Sequence, residues 1–133
     1  MVTKIKSVLL IIFFTIYNYS SMASQPIINK EGELLRHVVL LKFKDTSSEE
    51  QVKEVEEAFR KLPSQIKEIV GFEWGINNSP EGQDQGFTHL FFVSFETEED
   101  RDTYLPHPAH KAFVDVLKPH LDKVLVIDYW AKT

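Results

Sequence analysis

Leu34-Leu35-Arg36-His37-Val38-Val39-Leu40-Leu41-Lys42-Phe43-Lys44 is the stretch that decides the fold, because it is apolar on two faces at once. With the two-residue period of a strand, Leu35, His37, Val39, Leu41 and Phe43 point one way while Val38 and Leu40 point the other. Residues 87–96 repeat the pattern, with Phe87, His89, Phe91, Val93 and Phe95 on one side and Leu90 and Phe92 on the other. Such strands must be covered twice, and helices on one side of a sheet supply only one cover. The second cover is expected from another copy of the chain, so Val38, Leu40, Leu90 and Phe92 are read as a dimer interface.

Between and around these strands the pattern changes period. Ser47 and Ser48 ahead of Glu50 and Gln51 offer a capping box, and Val52, Val55, Phe59 and Leu62 recur at helical spacing until Pro63. After a turn through residues 64–70, Phe72, Trp74 and Ile76 share one face of a second strand. Asn77 to Gly86 reads as a polar loop, too long for a tight hairpin, that either connects through solvent or folds over a cavity mouth. Thr97 opens a short helical segment to Tyr104, and Pro108 serves as the first position of a helix carrying His110, Phe113, Val114 and Leu117, which Pro119 ends or kinks. Lys123 to Trp130 is a last strand. The order strand, helix, strand, strand, helix, strand is the ferredoxin-like βαββαβ pattern, an α+β fold with an antiparallel four-stranded sheet whose first and third strands are central.

A length of 133 residues holds one such domain. Its expected extent is 33–131, after a linker at 24–32 that carries Pro26, Asn29 and Gly32. Residues 1–23 read as a signal peptide, from the basic Lys4 and Lys6, the apolar run Val8–Tyr17 and the small residues Ser21-Met22-Ala23. An uncleaved anchor is the rival reading, but an apolar run of about ten residues falls short of the roughly twenty a bilayer core needs. The mature chain is therefore expected to be exported, periplasmic or secreted, and free of the membrane.

Removing residues 1–23, which carry two lysines and no acid, moves the formal charge from -5 to -7. That acidic balance leaves no electrostatic footprint for nucleic acid or anionic lipid. With no cysteine, thiolate chemistry and disulfides are excluded. No short metal-ligand spacing appears, and neither a metal nor another cofactor is expected.

The chemistry-bearing residues are histidines placed in greasy surroundings. His37 and His89 sit near the starts of the two central strands, on the side expected to meet the helices, and are expected to be neighbours there. His110 lies one turn into the last helix and Tyr104 precedes it, so both can project into the same gap between sheet and helices. With Phe59, Trp74, Phe91, Phe113 and Trp130 as walls, the gap suits a small apolar or aromatic molecule oriented by a few hydrogen bonds. Imidazoles there can exchange protons near neutral pH. The plain alternative is that His37 and His89 are satisfied core histidines and that His110 with Tyr104 is a packing motif holding the last helix. Asp128, alone among apolar residues, is either a partner for a histidine or arginine or an edge charge. His107 and His120 look like exposed turn residues.

Arg36-His37-Val38-Val39-Leu40-Leu41-Lys42-Phe43-Lys44, Gly86-Phe87-Thr88-His89, Tyr104-Leu105-Pro106-His107-Pro108-Ala109-His110 and Val124-Leu125-Val126-Ile127-Asp128-Tyr129 together resemble the stress-response A/B barrel (Dabb) family. The Tyr-x-x-His-Pro-x-His stretch is the most specific part. The resemblance implies a homodimeric α/β barrel. From the family's plant polyketide-cyclase branch it implies His110 as the proton-abstracting base of a cofactor-free aldol condensation, Tyr104 orienting or stabilising the enolate, and His37 and His89 shaping the pocket. Two functions are thus open, a small-molecule binder and a cofactor-free acid-base enzyme. Aromatic oxidation without metal and haem degradation, known in other dimeric α/β barrels, have no distinctive residues here.

Overall fold

The computed structural model describes residues 33–132, so the expected signal peptide and the whole of the expected linker lie outside the described residues. Strand β1, Leu35–Phe43, runs between β3, His89–Phe95, and β4, Leu121–Trp130, and β2, Gly71–Ile76, lies outside β3. The order is β2-β3-β1-β4, and every pairing is antiparallel. This is the expected ferredoxin-like arrangement, with the two doubly apolar strands in the middle.

Helix α1, Glu49–Gln65, starts at Ser48, whose Oγ accepts the Gln51 N–H at 3.3 Å while Gln51 Oε1 accepts the Ser48 N–H at 2.9 Å. It does not stop at Pro63 as expected. A proline in the last turn removes a single ladder bond, and the Ile66 N–H still donates to Leu62 O at 2.9 Å. Helix α2, Glu98–Tyr104, is capped by Thr97, and α3, Pro108–Leu117, is capped by His107, whose Nδ1 accepts the Ala109 N–H at 3.1 Å. A 3-10 turn over Lys118–His120 carries Pro119 into β4. His107 and His120 are therefore half-buried rather than exposed: one is a cap, and the other lies beside the Ser47 hydroxyl.

All the core packing lies on one face of the sheet. Leu35, Val39 and Leu41 of β1 and Phe91, Val93 and Phe95 of β3 meet Val55, Phe59 and Leu62 of α1, Tyr104 of α2, and Phe113 and Leu117 of α3. At its centre Phe91 is stacked between Phe59, at 4.1 Å between ring centroids, and Trp74, at 5.7 Å. Ile76, expected beside Phe72 and Trp74, is 61% exposed at the end of the edge strand.

The opposite face has no helix on it among the described residues. The register sets Phe92, Val38 and Ile127 in one row across three strands and Leu90, Leu40 and Leu125 in the next. Leu125, Ile127 and Tyr129 are left exposed. This is the uncovered apolar face that the alternation anticipated.

The polar loop closes where the Asn77 N–H donates to Thr88 O at 2.8 Å. Gly86 has φ 85°, a left-handed backbone conformation that favours glycine. The loop leads into the His89 end of β3.

Phe91→Ala removes the centre of the aromatic stack, and large-to-small changes at such sites cost about 3–5 kcal/mol. A urea unfolding curve should show a large drop in midpoint with little change in slope.

Candidate functional site

The starts of β1 and β3 lie at opposite ends of the sheet, because the two strands are antiparallel. His37 pairs with Val93 and His89 with Leu41, four positions further along β1. At about 3.3 Å per residue the two imidazoles are roughly 13 Å apart along the strand. The expectation that they would be neighbours is corrected: both face the helices, at different ends.

His89 is enclosed and doubly satisfied. Its Nε2 meets Glu56 Oε1 from α1 at 2.8 Å, its Nδ1 meets Thr88 Oγ1 at 2.8 Å, and Phe43 packs edge-on at 4.9 Å. A carboxylate can only accept, so Nε2 carries a proton, and the threonine hydroxyl, which can donate or accept, satisfies Nδ1. Beside this pair lies a shallow depression of about 260 Å³ bordered by Ser47, Val52, Lys53 and Ile76.

The other end is built differently. The His37 Nδ1–H donates to Asp128 Oδ1 at 2.6 Å, and Arg101 of α2 donates from Nη1 to Asp128 Oδ2 at 3.1 Å. Asp128 thus partners both a histidine and an arginine. Tyr104, on the same face of α2 as Arg101 and one turn on, packs its ring 5.7 Å from His37 and 4.4 Å from His110. The Pro108 start of α3 brings His110 back over Leu105, whose carbonyl accepts the His110 Nδ1–H at 2.9 Å. The lone pair of His110 therefore resides on Nε2.

These groups border a cavity of about 320 Å³ between α3 and the β1–β4 half of the sheet. Its polar members are His37, Tyr104, His110 and Lys118, and its walls include Val39, Phe59, Phe113, Leu117, Val124 and Val126. Five of the residues expected at the site, His110, Tyr104, His37, Phe59 and Phe113, are brought together here. His89, Trp74 and Phe91 are not among its lining residues, being held respectively in the Glu56 pair and in the aromatic stack. Trp130 packs at the edge of the core, near Glu98. Val124 and Val126 went unnoticed as walls, although they alternate with Asp128 and so share its face of β4. That alternation would have found them once β4 was known to flank β1.

The electrostatics follow from burial. Tyr104 is 0% exposed and its Oη has no hydrogen-bond partner among the described residues. Burial drives its ionisation far above the ordinary phenol range. Burial also pushes the His110 pKa below 6.5, against the pull of its bond to Leu105. At neutral pH the cavity thus holds an un-ionised phenol whose O–H has no partner to donate to, and a neutral imidazole with a free lone pair. Among the described residues, no three His, Asp or Glu side chains converge on a metal-sized site.

Comparison with known proteins extends the picture. The Stress responsive A/B Barrel Domain family matches residues 35–131. Over 95 residues, 71% of this chain and 87% of the relative, the chain is 41% identical to the stress-response A/B barrel domain-containing protein HS1 of Arabidopsis thaliana. It is 34% identical over 95 residues to the olivetolic acid cyclase of Cannabis sativa, covering 71% of this chain and 94% of that one. A crystal structure of a dimeric ferredoxin-like protein of unknown function from Thermobifida fusca superposes with a TM-score of 0.66 at 22% identity, over 80% of this chain and 99% of that one.

Two outcomes are expected of the site by itself. Tyr104→Phe deletes a buried hydroxyl that has no partner, which costs about 1–3 kcal/mol where it stands. The variant should unfold at a higher urea concentration than the parent, and a clear destabilisation would contradict the unpartnered state. His110 has a folded pKa below its unfolded 6.5, so its contribution to stability is fully present above that pH and is lost as pH falls through the folded value. His110→Gln should flatten the stability-versus-pH curve on the acid side of 6.5.

Proposed function

The chain belongs to the stress-responsive A/B barrel domain family, and we propose that it works as a homodimer in which each protomer binds one small apolar or aromatic molecule in the cavity beneath α3. The observation that carries this reading is the Tyr104 hydroxyl, fully buried at an apolar cavity with nothing to donate to. Folding has left a donor unpaired at a cost that a ligand oxygen would repay. A cavity of about 320 Å³ lies at the lower end of small-molecule sites. It equals roughly ten water volumes at about 30 Å³ each, the size of a single ring with short substituents.

Dimerisation rests on the uncovered sheet face. Val38, Leu40, Leu90, Phe92, Leu125 and Ile127 are neighbours in two adjacent rows of one apolar face, on which Leu125 and Ile127 are exposed, Leu40, Leu90 and Phe92 half-buried and Val38 enclosed among them. An isologous contact, each face covering its twin, is the simplest cover for such a patch. The dimeric Thermobifida fusca protein of the same fold supports it. Export to the periplasm or the exterior belongs to the same proposal, supported by the basic and apolar character of residues 1–23.

The second reading makes the pocket a cofactor-free acid-base enzyme. The specific observation favouring it is that His110 is locked with Nδ1–H on Leu105 O, so Nε2 offers a lone pair, on a ring whose centroid lies 4.4 Å from that of Tyr104. A base and a hydrogen-bond donor side by side are what proton removal next to a carbonyl needs. Similarity to the olivetolic acid cyclase supports this reading.

The mature chain should sediment at twice its mass at micromolar concentration, and a folded monomer would remove the dimer. Native mass spectrometry of protein taken from its own host should show one small apolar molecule per protomer, released on denaturation. An empty cavity that also takes up no small aromatic compound would end the binding proposal. His110→Ala separates the two readings, since a binder keeps its ligand with modest loss whereas a catalyst binds normally and stops turning over.

A further inference from the structure

We infer that Arg101 is a positioning residue that keeps His37 neutral, with its Nδ1–H fixed on Asp128 and its Nε2 lone pair offered to the occupant of the cavity. The inference rests on the proposed reading that the cavity holds a small molecule.

The argument is one of charge in a confined space. His37 is 5% exposed, and two carboxylate oxygens lie between it and Arg101: Oδ1 at 2.6 Å from His37 Nδ1 and Oδ2 at 3.1 Å from Arg101 Nη1. A guanidinium is charged at every relevant pH. Arg101 with Asp128 is therefore already neutral as a pair, and a proton added to His37 would leave an uncompensated positive charge against Tyr104 and Phe95, where it is costly. Take the guanidinium away and the sign reverses. Asp128 alone is an anion beside an imidazole, and a proton on His37 then completes an ion pair.

The other groups around His37 do not change this balance. Helix α2 contributes Tyr104, which stays un-ionised, and α3 contributes His110, whose burial disfavours its charge. Strand β3 presents Val93 and Phe95, and Arg36 lies on the far face of the sheet with Ser94. Asp102 also holds Arg101, its Oδ1 accepting from Nη2 at 3.0 Å and from Nε at 3.1 Å, but is 64% exposed, so water screens its share. Lys118, at the border of the same cavity, is a largely exposed cation and does not favour a second positive charge on His37. Arg101 precedes Tyr104 by one helical turn, so a single face of α2 sets the protonation of one cavity group and supplies another.

The consequence is selective. A neutral His37 can only accept through Nε2, so the ligand atom that meets it must bring a hydroxyl or N–H, and a carboxylate is disfavoured there. A protonated His37 would reverse that preference.

The test uses the mature dimer with 15N-labelled histidine at pH 7. The parent should show His37 Nδ1 protonated and Nε2 unprotonated. Arg101→Met, which keeps the aliphatic stem and drops the charge, should show both nitrogens protonated, and Arg101→Lys should restore the parent pattern. Arg101→Gln serves as a second neutral variant if the methionine chain fails to give dispersed amide signals. A parent already protonated on both nitrogens, or neutral variants indistinguishable from it, would overturn the inference. The binding arm uses 4-propylphenol and 4-propylbenzoate. The parent should favour the phenol, and the neutral variants should lose that preference by roughly tenfold, the equivalent of one hydrogen bond to a charged group. If neither probe nor any small aromatic binds the parent, the ligand proposal fails while the nitrogen spectra still decide the role of Arg101.

Discussion

A strand that is apolar on both faces cannot be satisfied by its own chain when all the helices lie on one side. β1 is that strand, flanked by β3 and β4, and the rest of the architecture adjusts to it. Helices α1 and α3 pack against each other over the β1–β3 half of the helix-side face, where the aromatic stack of Phe59, Phe91 and Trp74 sits. They do not reach across β4, so Val124 and Val126 keep 47% and 48% of their surface exposed. The cavity is the space left where the helix layer runs out.

What distinguishes the two ends of the sheet is how completely their polar groups are paired. At one end His89 has both nitrogens engaged, by Glu56 and Thr88, and nothing there asks for a further partner. At the other, His37 is engaged on one side through Asp128 and Arg101, His110 on one side through Leu105, and Tyr104 on none. Buried polar groups in folded proteins are nearly always satisfied, and the proposed ligand rests on this cluster of half-satisfied ones around an apolar space.

The family shares a fold, and a fold transmits no chemistry by itself. The relatives bear names as different as a stress-response protein and a cyclase. Within such a family, activity depends on which nitrogen carries a proton, which oxygen is free and how much room is left beside them. In this chain those choices are made by backbone and charge partners, the Leu105 carbonyl for His110 and the Asp128–Arg101 pair for His37.

The element order, the central position of the two doubly apolar strands, the capped start of α1 and the grouping of Tyr104 with His110 were all legible in the residues, because period-two and period-3.6 patterns are local and each residue declares its side. The Asp128 partnership was legible as a choice between histidine, arginine and the edge, and the fold made it both of the first two. Which histidines share a space was not local. Antiparallel pairing set His37 and His89 at opposite ends, a consequence of strand direction that no spacing along the chain expresses. Likewise β4 became a cavity wall because it flanks β1 beyond the reach of α3, and Pro63 stayed inside a helix because the packed turn around it outweighed one lost hydrogen bond. The sequence determined which faces are apolar and which side chains carry protons; only the assembled sheet decided which of them meet.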